Sequence, residues 1–142
     1  MARPRLKPPT APRRIDPRRA ARGGAGRRAG RKGEWIAALL LMAKGYRILG
    51  FRLQGPGGEI DILARKGRVL AVVEVKRRAT IEAALCAVTA EQKARLMRSA
   101  LALAARRPAL KGLDIRLDMV ALASGRFPRH VRNLVQNDAT RG

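Results

Sequence analysis

Gly58-Glu59-Ile60-Asp61-Ile62-Leu63-Ala64-Arg65-Lys66-Gly67-Arg68-Val69-Leu70-Ala71-Val72-Val73-Glu74-Val75-Lys76 decides how this chain is read. Two apolar stretches flank the Lys66-Gly67 turn, so the segment predicts a hairpin, with strands over 59–65 and 68–76. From Val69 to Val73 the second strand is apolar without alternation, the pattern of a strand covered on both faces. Side chains alternate along a strand, so Glu74 and Lys76 share a face, roughly 6.6 Å apart along it. Asp61 leaves the neighbouring strand thirteen residues before Glu74. Two carboxylates on adjacent strands offer the oxygen donors a hard divalent cation requires. The backbone carbonyl of Val75 is a third oxygen. Lys76 adds a cation that can orient water or balance charge on a phosphate. An internal salt bridge, Glu74 with Lys76 and Asp61 with any of many arginines, accounts for the same residues. The spacing E-x-K is common. Its place at the end of an apolar strand, beside an acid from the next one, favours the functional reading.

Upstream, Gly55-Pro56-Gly57-Gly58 marks a turn, and Tyr46 to Leu53 a strand with a bulge at Gly50. Glu34 to Lys44 reads as a helix whose stop is Gly45. Downstream, Ile81 to Val88 is a short segment of one or two helical turns. Thr89-Ala90-Glu91-Gln92 is a capping box that opens a helix to Arg107, ended by Pro108. Leu96, Ala100, Leu103 and Met97, Leu101, Ala104 are its apolar stripe; Lys93, Arg95, Arg98 and Arg106 make its other surface basic. Ile115 to Ala121 alternates as a strand. Residues 129–135 are expected to be ordered, with the type open. The order α-β-β-β-α-β predicts one α/β domain over 33–136, a mixed sheet flanked by helices. Residues 1–32 and 137–142 are expected to be disordered ends.

The chain has 142 residues and a net charge of +22. Its first 33 residues hold twelve Lys or Arg against one acid, and the other 109 hold twenty against nine. Each part therefore carries +11, and the folded part is basic without its tail. Such a balance points to a polyanion, because Lys and Arg displace condensed counterions from phosphates. No apolar run approaches the roughly 18 residues of a membrane span. No secretory signal is legible, and a cytoplasmic location is expected. The one cysteine, Cys86, excludes an internal disulfide and a zinc cluster. The one histidine, His130, excludes a histidine metal site or catalytic triad; a surface or packing role is expected for it. Cys86 reads as a small buried hydrophobe, and Trp35 as a core residue. Asp118, opposite in face to Leu117 and Met119, reads as a structural partner of Arg116. Glu59 lies on Asp61's face, as a supporting acid or the partner of an arginine.

Gly33-Glu34, Lys44-Gly45-Tyr46-Arg47-Ile48-Leu49, Gly58-Glu59-Ile60-Asp61-Ile62-Leu63-Ala64 and Val73-Glu74-Val75-Lys76-Arg77-Arg78 together resemble the bacterial YraN family. Weaker likeness continues through Lys93-Ala94-Arg95-Leu96, Arg116 to Val120 and Arg129 to Asn133. The resemblance covers about residues 33–135. It implies the PD-(D/E)XK, or restriction-endonuclease-like, fold near Holliday-junction resolvases. By position, Asp61 matches the motif aspartate, Glu74 the motif Asp/Glu and Lys76 the motif lysine. Glu34 matches an acid that the first helix supplies in the resolvase branch. Gln92 falls where some related nucleases place a glutamine, although its capping role explains it. A Mg²⁺- or Mn²⁺-dependent DNA endonuclease is thereby implied, with duplex or branched DNA as partner and a homodimer as an expected form. Arg77, Arg78 and Lys93 are the expected phosphate contacts. Two other functions remain open: a nuclease fold that binds DNA without turnover, and an RNA- or ribosome-associated basic protein.

Overall fold

Val69 to Val73 folds as the middle strand of a five-stranded sheet. The computed structural model describes residues 17–137, with side chains from 30 to 135. Its elements are α1 (Pro17–Ala43), β1 (Arg47–Gly55), β2 (Gly58–Lys66), β3 (Val69–Arg77), α2 (Ile81–Leu85), α3 (Ala90–Arg106), β4 (Asp114–Leu122), β5 (Arg129–Val131) and α4 (Leu134–Asn137). The strands lie in chain order; only β3 and β4 are parallel, and α2 and α3 supply the crossover that a parallel pair needs. The expected mixed α/β sheet is present, with α2, β5 and α4 added to the order read from the sequence.

Alternation along β3 builds two cores. Leu70 and Val72 pack with Ile60, Leu117 and Met119 under Leu96 and Ala100 of α3. Ala71 and Val73 pack with Ile62 and Val120 under Ala37, Ala38 and Leu41 of α1. Both faces of β3 are thus covered, as its unbroken apolar run requires. Beyond this run, Glu74 and Lys76 continue on the α3 side, and Val75 and Arg77 on the α1 side.

Helix α1 corrects the expected helix start. It begins at Pro17 rather than at Glu34. Proline suits a first helical position, and the Ala and Arg that follow are strong helix formers without any apolar stripe to betray them. Residues 1–16 and 138–142 lie outside the described residues. Glu34, Ala37, Ala38 and Leu41 form the sheet-facing stripe of α1, at the spacing of one helix face. Trp35 is off that stripe. It is 59 % exposed and packs against Phe51 with the rings tilted and their centroids 5.3 Å apart, instead of entering the core. Cys86 is also exposed, contrary to the expectation, because α2 is so short that only its Ala84 is buried. Leu101, assigned to the apolar stripe of α3, faces outward as well.

The capping box forms as read: Gln92 N donates to Thr89 Oγ1 and Thr89 N to Gln92 Oε1, each at 3.1 Å. Ser99, fully buried on α3, staples the β1–β2 turn to the helix. Its hydroxyl accepts from Gly57 N and donates to Gly58 O, both at 2.9 Å. A Cβ at Gly57 would lie 2.0 Å from the carbonyl oxygen of Arg95. Gly57→Ala is therefore expected to destabilise the protein by about 1–3 kcal/mol through overpacking. Urea unfolding checks this; a midpoint equal to wild type would mean that the turn is not clamped.

Asp118, on β4, is fully buried. It accepts from Arg116 Nε at 2.8 Å and NH2 at 2.7 Å, from His130 Nε2 at 2.8 Å, and from Asn133 N at 3.0 Å. Lys44 Nζ lies 3.1 Å from His130 Nδ1, which fixes the tautomer: Nε2–H donates to Asp118 while Nδ1 accepts from the ammonium. The structural role read for Asp118 and the packing role read for His130 are what the network performs.

Candidate metal and phosphate site

The β2–β3 ladder runs from Lys66↔Val69 to Ile62↔Val73 and stops one pair short of Asp61 and Glu74. β2 stays with β1 as far as Gly58. The strands of the hairpin therefore part where the acids stand. A strand N–H that loses its ladder partner needs another acceptor. Asp61 Oδ2 takes the amide of Val75 at 2.8 Å. The N–H and C=O of one strand residue point to the same neighbour, so the Val75 carbonyl turns toward the same opening.

Asp61 and Glu74 share a side-chain hydrogen bond. Lys76 Nζ lies 3.2 Å from Glu74 Oε1, and both side chains are only 16 % exposed. Glu34 reaches the group from the sheet face of α1, where it pairs with Arg52. Glu34, Glu59 and Asp61 each place one carboxylate oxygen within 4.8 Å of the other two. Glu59 belongs with Asp61, as its same-face spacing suggested; its hydrogen-bond partner is Gln54, at 2.7 Å, rather than an arginine. Arg52 and Gln54 were missed in the sequence. The signal was the strand register, which sets Gln54 across from Glu59 and brackets Arg52 between the pairs Phe51↔Ile62 and Leu53↔Ile60.

These acids line two clefts. One, of about 330 Å³, is lined by Glu34, Asp61, Val75, Arg77 and Arg78. The other, of about 140 Å³, is lined by Glu59, Glu74, Gln92 and Arg95. The Asp61–Glu74 pair spans the two. Gln92 thus borders the site while serving as a cap. Lys93 lines neither cleft; its Nζ donates to the carbonyl of Leu134 at 3.4 Å and ties α3 to α4.

Burial raises all three central carboxyls. Glu74 is pushed up to about 7, by burial first and then by the charge of Asp61, against the pull of Lys76. Asp61 rises through burial, opposed by the hydrogen bonds from Val75 N–H and Glu74. Glu34 rises through burial, opposed by Arg52. Between pH 4.5 and about 7 the folded chain holds a proton at Glu74 that the unfolded chain releases. The stability from this group is complete below 4.5 and lost as the pH rises through 7. In EDTA, wild type is expected to lose on the order of 2 kcal/mol across this window, and Glu74→Gln to lose less. Thermal melts at pH 5 and pH 8 check this; parallel profiles for the two proteins would contradict it.

An all-carboxylate donor set beside a lysine fits a hard cation such as Mg²⁺ or Mn²⁺ rather than a soft one. Among the described residues no helix is long and apolar enough to cross a membrane.

The model of the uncharacterised protein family UPF0102 matches residues 33–122, the span that carries β1 to β4 and the acids. A UPF0102 protein of Caulobacter vibrioides (strain NA1000 / CB15N) is 62 % identical over 113 residues, 80 % of this chain and 90 % of the relative. One from Caulobacter sp. (strain K31) is 57 % identical over 122 residues, 86 % and 88 % of the two chains. One from Methylorubrum extorquens (strain PA1) is 45 % identical over 128 residues, 90 % and 94 %. The chain belongs to the UPF0102 family, the same bacterial family that its motifs resemble under the name YraN.

Proposed function

We propose that this chain is a Mg²⁺- or Mn²⁺-dependent endonuclease that hydrolyses phosphodiester bonds in DNA. The observation that carries the reading is the meeting of Asp61, Glu74 and Lys76 where β2 and β3 part, at clefts bordered by Arg77, Arg78 and Arg95. Asp61 and Glu74 would hold the cation, with Glu34 and the Val75 carbonyl as further oxygen donors. When bound, the cation supplies Lewis-acid polarisation of the phosphate and a water of lowered pKa. Lys76 orients the attacking water and balances charge on the phosphate. Arg77 and Arg78 hold the phosphates beside the first cleft as charge-assisted hydrogen-bond donors. The net charge of +22 supports a polyanionic substrate.

The test is cleavage of labelled duplex, single strand, flap and four-way junction in Mg²⁺, Mn²⁺ or EDTA. Metal-dependent product supports the reading, and the preferred form names the substrate. Tight, metal-independent binding with no product in either metal would favour a DNA-binding module of the same fold. Strong preference for RNA, lost on deleting residues 1–32, would favour an RNA-associated protein.

A further inference from the structure

We propose that Arg52 is the exchangeable counter-ion of this site, holding Glu34 while no divalent cation is bound and leaving it when one arrives. The inference rests on the metal-dependent reading above and adds a residue to it.

Three features carry it. Glu34 is one of the three acids whose oxygens converge, and its side chain is 12 % exposed; Arg52 NH1 sits 2.5 Å from its Oε2. Arg52 is 43 % exposed, so the guanidinium can withdraw into water while Glu34 cannot. A guanidinium on Glu34 and a cation on the same carboxylate are like charges at close range, so each weakens the other. The backbone is shaped to deliver this contact. Arg52 has φ +47°, in the left-handed region that a residue with a side chain seldom adopts. Phe51 before it packs in the core under α1, and Leu53 after it in the core under α3, although residues two apart on a regular strand share a face. The irregular residue is therefore the arginine that pairs with Glu34, and such irregularity gathers at functional sites.

The experiment is direct Mn²⁺ binding to the full chain by titration calorimetry, with wild type, Arg52→Asn and Arg52→Gly. Both replacements tolerate the left-handed backbone and neither reaches Glu34, which guards against misfolding. Wild type is expected to bind Mn²⁺, and both variants to bind it about tenfold more tightly. Adding Glu34→Gln to Arg52→Asn removes the gain. Wild-type binding with no gain in either variant overturns the role of Arg52 and leaves the metal reading standing. A gain that persists with Glu34→Gln also overturns it, because the arginine then acts as a general charge. No Mn²⁺ binding by any of the proteins overturns the inference together with the metal reading.

Discussion

Asp61→Asn is expected to lower metal-dependent cleavage by about a thousandfold or more while leaving DNA affinity within about twofold. Asp61 performs two tasks at once. Its carboxylate satisfies the Val75 amide where the hairpin opens, and it hydrogen-bonds with the side chain of Glu74. An asparagine can still accept from Val75 N–H through its carbonyl oxygen, so the opening keeps its shape. It has no charge to offer a cation. In the proposed function the affinity for DNA comes from arginines such as Arg77 and Arg78 beside the first cleft, which the substitution does not touch. Lys76→Ala is expected to show the same split with a smaller loss, since it removes a positioning charge and no cation ligand. Single-turnover cleavage and a gel-shift titration on the same preparations read both quantities. Loss of binding in step with loss of cutting would show that Asp61 maintains the fold and has no chemical role.

Asp118→Ala is expected to destabilise the protein by about 3–5 kcal/mol, the size typical of a buried ion pair stripped of one partner. Asp118 accepts four hydrogen bonds from three residues and has no exposed surface. Without it, Arg116 keeps only the Tyr46 hydroxyl, and the His130 Nε2–H faces a cavity. β5 and the turn at Asn133 lose their anchor on β4. Burial opposes the charge on Asp118, but the hydrogen bonds from His130, Arg116 and the Asn133 amide outweigh it and hold its pKa below 3.8. Its contribution is therefore complete above pH 3.8 and is lost as the pH falls further, the reverse of the behaviour of Glu74. Denaturant unfolding of wild type and variant at pH 6 and pH 3 tests both statements. A variant as stable as wild type at pH 6 would mean that β5 is held by its strand pairing alone.

The hairpin was legible because two apolar runs on either side of Lys66-Gly67 leave few ways to be buried. The capping box of α3 was legible because Thr89 and Gln92 satisfy each other's amides within four residues. That Glu74 and Lys76 lie side by side was legible because period-two alternation fixes which face a strand residue takes. What sequence pattern could not reach depended on irregular backbone or on distant partners. The left-handed turn at Arg52 switches β1 from one core to the other, and no propensity marks it. The pairing of Glu34 with Arg52 spans eighteen residues, and that of Gly57 with Ser99 forty-two. The early start of α1 was hidden because alanine and arginine favour a helix without an apolar stripe. Trp35 was misplaced for a related reason: hydrophobicity argued for the core, whereas the small Ala37 and Ala38 set which face approaches the sheet.

The most direct test of the account is single-turnover cleavage of a labelled DNA panel by wild type and Glu74→Gln, side by side, in Mn²⁺ and in EDTA. The account predicts product from wild type in Mn²⁺ alone, with Glu74→Gln inactive on DNA that it still binds. Product at equal rates from both proteins, or from wild type in EDTA, would contradict it.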